Sequence, residues 1–150
     1  MRRILRILST KPVLIALMVG SLLGATANLA LAATLYSSWY SYGPVLGYNY
    51  KNQAQITTDA GPLQASTMVQ ANTSVPGGYM GAQAQLFKSG SLCAATGWKY
   101  DDEAGDVGYQ IFTTTGACGS GNYYSQGASA AYDGSGYYEY GTWQSPTYSY

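Results

Sequence analysis

This chain of 150 residues contains no histidine, and its seven basic and seven acidic side chains make only 9% of it charged. The missing imidazole removes the usual general base near neutral pH, the Ser-His-Asp and Cys-His catalytic arrangements, and the commonest zinc ligand. Four of the seven cations, Arg2, Arg3, Arg6 and Lys11, lie at the very start, so the remainder has no basic stripe to follow a phosphate backbone and nucleic acid is not an expected partner.

Those four cations precede an uncharged stretch from Pro12 to Ala27, which ends in Asn28-Leu29-Ala30-Leu31-Ala32-Ala33. A basic front, an apolar middle and small residues at the −3 and −1 positions of a cut form the layout of a secretory signal. The pattern predicts cleavage between Ala32 and Ala33, a signal peptide over 1–32, and a single secreted domain over 33–150 with its ordered core at roughly 46–145. Val13 to Leu35 is also long enough to span a bilayer. Gly20, Ser21, Gly24, Thr26 and Asn28 weaken its apolar character toward the bacterial-type Ala-x-Ala end, which favours cleavage over a retained anchor. The expected location is extracellular, with no membrane association after cleavage. Lys51, Lys88 and Lys99 then face Asp59, Asp101, Asp102, Glu103, Asp106, Asp133 and Glu139, three cations against seven anions for a net charge of −4.

In chain order, Leu46, Tyr48, Tyr50, Ala54 and Ile56 alternate with polar residues, the period-two pattern of a strand with one buried and one wet face. Only Asn52 breaks the inner row. After the turn at Asp59-Ala60-Gly61-Pro62, Leu63, Ala65, Val69 and Ala71 repeat the pattern, which predicts a hairpin. Val75-Pro76-Gly77-Gly78 interrupts it, and Met80 to Phe87 forms a third run. Lys88-Ser89-Gly90-Ser91 turns the chain into Leu92 to Tyr100, and an acidic loop leads to Val107 to Phe112. The last runs, near Tyr123 to Tyr132 and Tyr137 to Gln144, are joined by the hairpin signal Asp133-Gly134-Ser135-Gly136. Tyr36 to Tyr42 and Tyr137 to Tyr150 share a composition rich in Tyr, Ser, Gly and Trp, as edge strands or ordered tails.

This predicts an all-β fold, an antiparallel β-sandwich or small barrel of about seven strands. The many inward alanines require closely spaced sheets, with tyrosine and tryptophan filling the remaining volume. Trp98 and Tyr109 are expected in the core. Outward glutamine, serine and asparagine argue against a lipid-facing barrel. Cys93 and Cys118 are the only cysteines, and an even pair in an exported chain predicts one disulfide.

The functional signals are sparse. Asp101, Asp102, Glu103 and Asp106 place four carboxylates within one loop, which suits either a solvated turn or calcium, although the spacing is not that of an EF-hand. Asp59 and Glu139 join that loop as candidates for the two acids of a glycoside hydrolase. Trp39, Tyr137, Tyr138, Tyr140 and Trp143 are the candidate ligand-binding residues, because they lie in segments too rich in aromatics for all of them to fit inside, and such rings stack on sugars or anchor a protein partner. Asn72-Thr73-Ser74 fits the glycosylation pattern by chance. Composition alone resembles small bacterial exported proteins and some strand-rich bacteriocins, a likeness that transfers no site. The leading expectation is a secreted, non-enzymatic, cofactor-free binding protein for a cell-envelope glycan or a protein partner. A bacteriocin-like antagonist and a small glycosidase are the alternatives.

Overall fold

The computed structural model describes residues 33–59, 61–113 and 118–150. The predicted signal, with Ala32 on one side of its cut, lies outside the described residues, and Ala33 is the first of them. Among the described residues there are thirteen strands and no helix, and every pairing is antiparallel.

One sheet is built around a long hairpin of β3 (Tyr48–Thr57) and β4 (Gln64–Val75), in which Ile56 lies opposite Ala65 and Tyr50 opposite Ala71. Strand β9 (Asp106–Phe112) pairs with the far side of β4. On the other side, β1 (Thr34–Tyr36) and β2 (Tyr40–Val45) share one edge of β3, end to end. Ser37 fills the break between them. Its N–H donates to the Ala54 carbonyl at 2.8 Å, and its Oγ accepts the Ala54 N–H at 3.0 Å, so a side-chain hydroxyl stands in for a backbone carbonyl.

The remaining strands form two four-stranded sheets. β5 (Met80–Gln83), β8 (Lys99–Tyr100), β11 (Ala128–Tyr132) and β12 (Tyr137–Gly141) make one, in the order β12-β11-β5-β8. β6 (Gln85–Lys88), β7 (Ser91–Ala95), β10 (Asn122–Ser125) and β13 (Tyr148–Ser149) make the other, in the order β13-β10-β6-β7. Only Ala84 separates β5 from β6, and only Gln126 and Gly127 separate β10 from β11. The same rows of chain therefore pass through both sheets, bent at a common line. Threonine hydroxyls close that line: Thr96 brackets Ala84, and Thr142 brackets Gly127, each donating its N–H to the carbonyl and accepting the N–H through Oγ1. Period-two hydropathy reads straight through Ala84 and across Gln126-Gly127, so each of those runs becomes two strands; Leu92 to Tyr100 likewise divides into β7 and β8, and β1, β2 and β13 lie outside the seven runs, which makes thirteen strands.

Two apolar clusters lie between the five-stranded sheet and the other two. Ile56, Leu63, Ala65, Leu86 and Tyr123 form one. Tyr42, Val45, Tyr50, Val69, Val75, Met80, Ala82 and Ala131 form the other. The five-stranded sheet also meets the other two through very small residues. Thr67 Oγ1 of β4 donates to the Gln83 carbonyl at 2.9 Å, and Ser125 Oγ donates to the Ser66 carbonyl at 3.3 Å. A Cβ on Gly127 would lie 2.0 Å from Thr67 Oγ1 and 2.3 Å from the Gln83 oxygen, so no other residue fits there without displacing backbone.

Strand pairing extends beyond the 46–145 core read from the sequence, to β1 and β2 at one end and β13 at the other. Leu46, read as an inner residue, instead takes a positive φ of 48° in the turn between β2 and β3 and is exposed. Trp98 and Tyr109, expected in the core, are only half-buried. The two predicted tight turns are present. Ser89 and Gly90 both have positive φ between paired Lys88 and Ser91, as a two-residue hairpin loop requires. At the other turn the Asp133 carboxylate accepts the N–H groups of Ser135 and Gly136 at 2.8 and 2.7 Å.

Cys93 and Cys118 form the expected disulfide, with 6.0 Å between their Cα atoms. Bridging a sequence separation of 25 contributes about 3 kcal/mol in the chain-entropy account. Such a bond belongs in a non-reducing setting. No helix among the described residues is long and apolar enough to cross a membrane.

Asn52, the break in the inner row of β3, is fully buried and ties the layers together. Its Nδ2 donates to Ser129 Oγ at 2.8 Å and to the Tyr140 carbonyl at 2.9 Å, and Ser129 Oγ shares a further 2.8 Å bond with the Tyr42 hydroxyl. Asn52→Ala strands those acceptors in a dry site. We expect it to lower unfolding free energy by about 2 kcal/mol, read from the urea midpoint at constant m-value; an unchanged midpoint contradicts the tie.

Candidate functional site

The edge where β2 approaches β12 gathers several of the candidate aromatics. Tyr140 stacks on Tyr42 with 3.8 Å between centroids, and Trp143 meets Tyr40 edge-on at 5.9 Å. Tyr40, Tyr140 and Trp143, with Glu139, line an open cleft of about 280 Å³. Trp143 remains 56% exposed. Trp39 precedes Tyr40 in the chain and points to the opposite side, where Lys51 Nζ sits 4.4 Å from its ring centroid. This contact is a cation–π interaction that holds the indole against the sheet.

The other two candidates lie elsewhere. Tyr137 contacts Tyr100 at 4.4 Å and Tyr132 at 5.4 Å, and its hydroxyl donates to the Gly78 carbonyl at 2.8 Å. Tyr100 lies over Gly81, where an added Cβ would be 2.6 Å from the ring. Tyr138 is exposed on β12. The five residues therefore occupy several faces. Two of them, Trp143 and Tyr137, lie on a path of rings that runs from Trp143 through Tyr40, Tyr42, Tyr50, Tyr48, Tyr79, Tyr132, Tyr137 and Tyr100 to Trp98, with no centroid step above 6.4 Å, and Tyr140 joins it by stacking on Tyr42. Burial at the middle of this path pushes the Tyr50 phenol up to about 12, and raises Tyr42 further despite its bond to Ser129.

The outer face of the five-stranded sheet carries functional groups that sequence patterning registers only as a wet face. Strand register sets Tyr36, Gln55, Ser66 and Phe112 in one row, Gln53, Met68 and Gln110 in the next, and Ser41, Lys51, Gln70 and Gly108 in a third. Gln110 Nε2 donates to Gln55 Oε1 at 2.8 Å and to Ser66 Oγ at 2.9 Å, and Ser66 Oγ donates to Gln55 Oε1 at 3.2 Å. These amides are held in fixed orientations. Toward the β2 end the register of β2 on β3 shifts between Tyr42 and Val45, and an open depression of about 520 Å³ lies there, with Asn49, Lys51, Gln70 and Asn72 among its walls. Asn72 is exposed and accepts the Asn49 N–H at 3.0 Å.

The carboxylates are dispersed. Glu139 is the one acid in its cleft, and Asp59 is the one acid in a third depression beside Gln55, Gln64 and Phe112, where it also accepts a hydrogen bond from the Thr34 hydroxyl. Neither depression presents two acids across a gap. Among the described residues no three carboxylates come together as a metal-holding group, Asp101, Asp102, Glu103 and Asp106 included. Asp101 is buried instead, folded under the loop: its Oδ1 accepts the Glu103 N–H at 3.1 Å, and Oδ2 has no hydrogen-bond partner. Burial raises its carboxyl above the usual range, and the nearby Asp106 and Asp102 raise it further, against the lowering effect of the Glu103 N–H.

No protein-family model matches the chain, and neither a curated protein nor a solved structure does.

A carboxyl raised in the folded state stabilises the fold while it is protonated, and that contribution is lost as pH rises through its folded value. Asp101→Asn imitates the neutral form. It should raise the melting temperature at neutral pH, and the difference should close as pH falls below the ordinary aspartate range. Equal or lower melting temperatures at neutral pH contradict this.

Proposed function

We propose that this chain is an exported, non-enzymatic binding protein that takes a neutral cell-envelope glycan along the outer face of its five-stranded sheet and around the adjoining β2 edge. We read its sheets as the two layers of a sandwich, the five-stranded sheet over the bent pair. The observation that carries the proposal is the set of oriented amides on the outer face, bordered there by the exposed rings of Tyr36 and Trp39, with Trp143 exposed on the other side of the β2 edge. Gln53, Gln55, Gln70 and Gln110 offer both donors and acceptors, as Asn49, Asn72 and the serines do, and these match the hydroxyls of a polyol. Tyr36, Trp39 and Trp143 supply rings with an apolar face for the C–H side of a sugar. Lys51 is the single cation among these residues, so the surface offers little to a polyanion.

Export is supported by the leader pattern and by the oxidised Cys93–Cys118 pair. The dispersal of Glu139 and Asp59 supports binding over turnover, because glycoside hydrolysis uses two acids flanking one bond.

Retention of the protein on insoluble cell-wall polysaccharide tests this. Trp39→Ala and Trp143→Ala should each weaken retention about ten-fold, a loss of the size typical of an aromatic anchor, with unchanged melting temperature for Trp143→Ala. Full retention by the double variant would exclude this surface, and capture of a protein in place of glycan would reassign its ligand.

A further inference from the structure

Every sheet edge leaves backbone groups free to pair with another strand, and most soluble proteins blunt such edges with charge, proline, bulges or brevity. Most edges here are blunted in those ways. β1 has three residues, and β2 carries Pro44 and a register shift. β12 has Glu139 at its centre, β8 and β13 have two residues each, and β7 is tied down by Cys93 and bulged where it meets β6.

β9 is the exception. Among the described residues it pairs only with β4, and its seven residues contain no proline and no charge after Asp106. Pairing with β4 is regular from Gly108 to Phe112. Val107 and Phe112 are 56% and 44% exposed, while Tyr109 and Ile111 are only half-buried, so apolar surface is left uncovered along this edge.

The hydrogen-bond phase of β9 fixes which groups are free. Thr113 donates its N–H to the Ala65 carbonyl and accepts the Ala65 N–H through Oγ1. Bonded pairs alternate along an antiparallel ladder, so Ile111 and Tyr109 also bond to β4. The N–H and C=O groups of Gly108, Gln110 and Phe112 therefore point outward from the sheet.

We propose that β9 pairs antiparallel with β9 of a second copy of this chain, about a two-fold axis at Gln110. That register sets Gln110 opposite its own equivalent, Gly108 opposite Phe112, and Tyr109 opposite Ile111. Each pairing is favourable. The glycine leaves space that the phenylalanine ring covers, the aromatic meets a β-branched side chain, and no like charges face each other. The contact is isologous and closes on itself, so it yields a dimer and not a filament. It also makes the two outer faces one continuous sheet surface, which would present paired sites to an extended polymer. The dimer does not depend on what that surface binds.

Sedimentation analysis of the exported protein should give twice the monomer mass. Gln110→Pro removes an outward N–H at the axis without touching the bonds that Tyr109 and Ile111 make to β4. Val107→Lys adds charge at an exposed position. Each should weaken dimerisation at least ten-fold, with far-ultraviolet circular dichroism unchanged. Gln110→Cys should form an intermolecular disulfide on mild oxidation, whereas Val107→Cys should not. A monomeric parent protein, a dimer that survives both Gln110→Pro and Val107→Lys, or equal crosslinking at positions 107 and 110 overturns the proposal.

Discussion

The Thr67 hydroxyl and the Gln83 carbonyl occupy the place where any side chain on Gly127 would begin. That close approach of β4 to the chain between β10 and β11 is the constraint from which the core packing follows. Small residues such as Ala54, Ala84 and Ser125 are fully buried in the same interior. Larger side chains gather in two clusters. One of them carries a stack of tyrosines too large to enclose, and its rings run out to the surface at Tyr40, Tyr137, Trp98 and Trp143.

A second regularity accompanies the first. Where strands end or bend, a serine or threonine donates its N–H to a small residue's carbonyl and accepts that residue's N–H through its own hydroxyl. Ser37 does this with Ala54, Thr58 with Ala33, Thr96 with Ala84, Thr113 with Ala65, Thr142 with Gly127, and Ser145 with Ser125. Each closure satisfies a backbone donor that would otherwise be stranded in a dry interior. A chain rich in alanine, serine, threonine and glycine can therefore build a core with few large aliphatic residues, since packing and polar satisfaction are met in part by the same short side chains.

Much of this was legible in the sequence. Alternation located the runs that hold β3 to β12, the turns at Ser89-Gly90 and Asp133–Gly136 carried their own chemistry, and two cysteines admitted one pairing. Asn52 announced itself by interrupting an apolar row, and it bonds from β3 to Ser129 and Tyr140 of a facing sheet. The bends were hidden because a strand that passes from one sheet to another keeps its alternation: Met80 to Phe87 reads as one run although it belongs to two sheets. β1 and β2 were obscured because Ser37 and Pro44 break the pattern at the positions where side chains or shifted register replace the ladder. The candidate aromatics grouped in the sequence are divided in space, since Trp39 and Tyr40 point to opposite sides of the five-stranded sheet. The amides of Gln55 and Gln110 read only as solvent-facing, because periodicity records exposure and not register. Asp101 was indistinguishable from its acidic neighbours, because nothing local marks which carboxyl turns inward.

An outer face of oriented amides, exposed aromatic rings and one unblunted edge are separate features of a fold whose tightest contact is the one at Gly127. The most direct test of that constraint is the urea unfolding of Gly127→Ala against Gly97→Ala, a position where an added Cβ meets nothing within 4 Å. Overpacking should make the first variant less stable by about 3 kcal/mol, with the second close to the parent protein. Equal stability of the two variants would contradict the close approach on which this account depends.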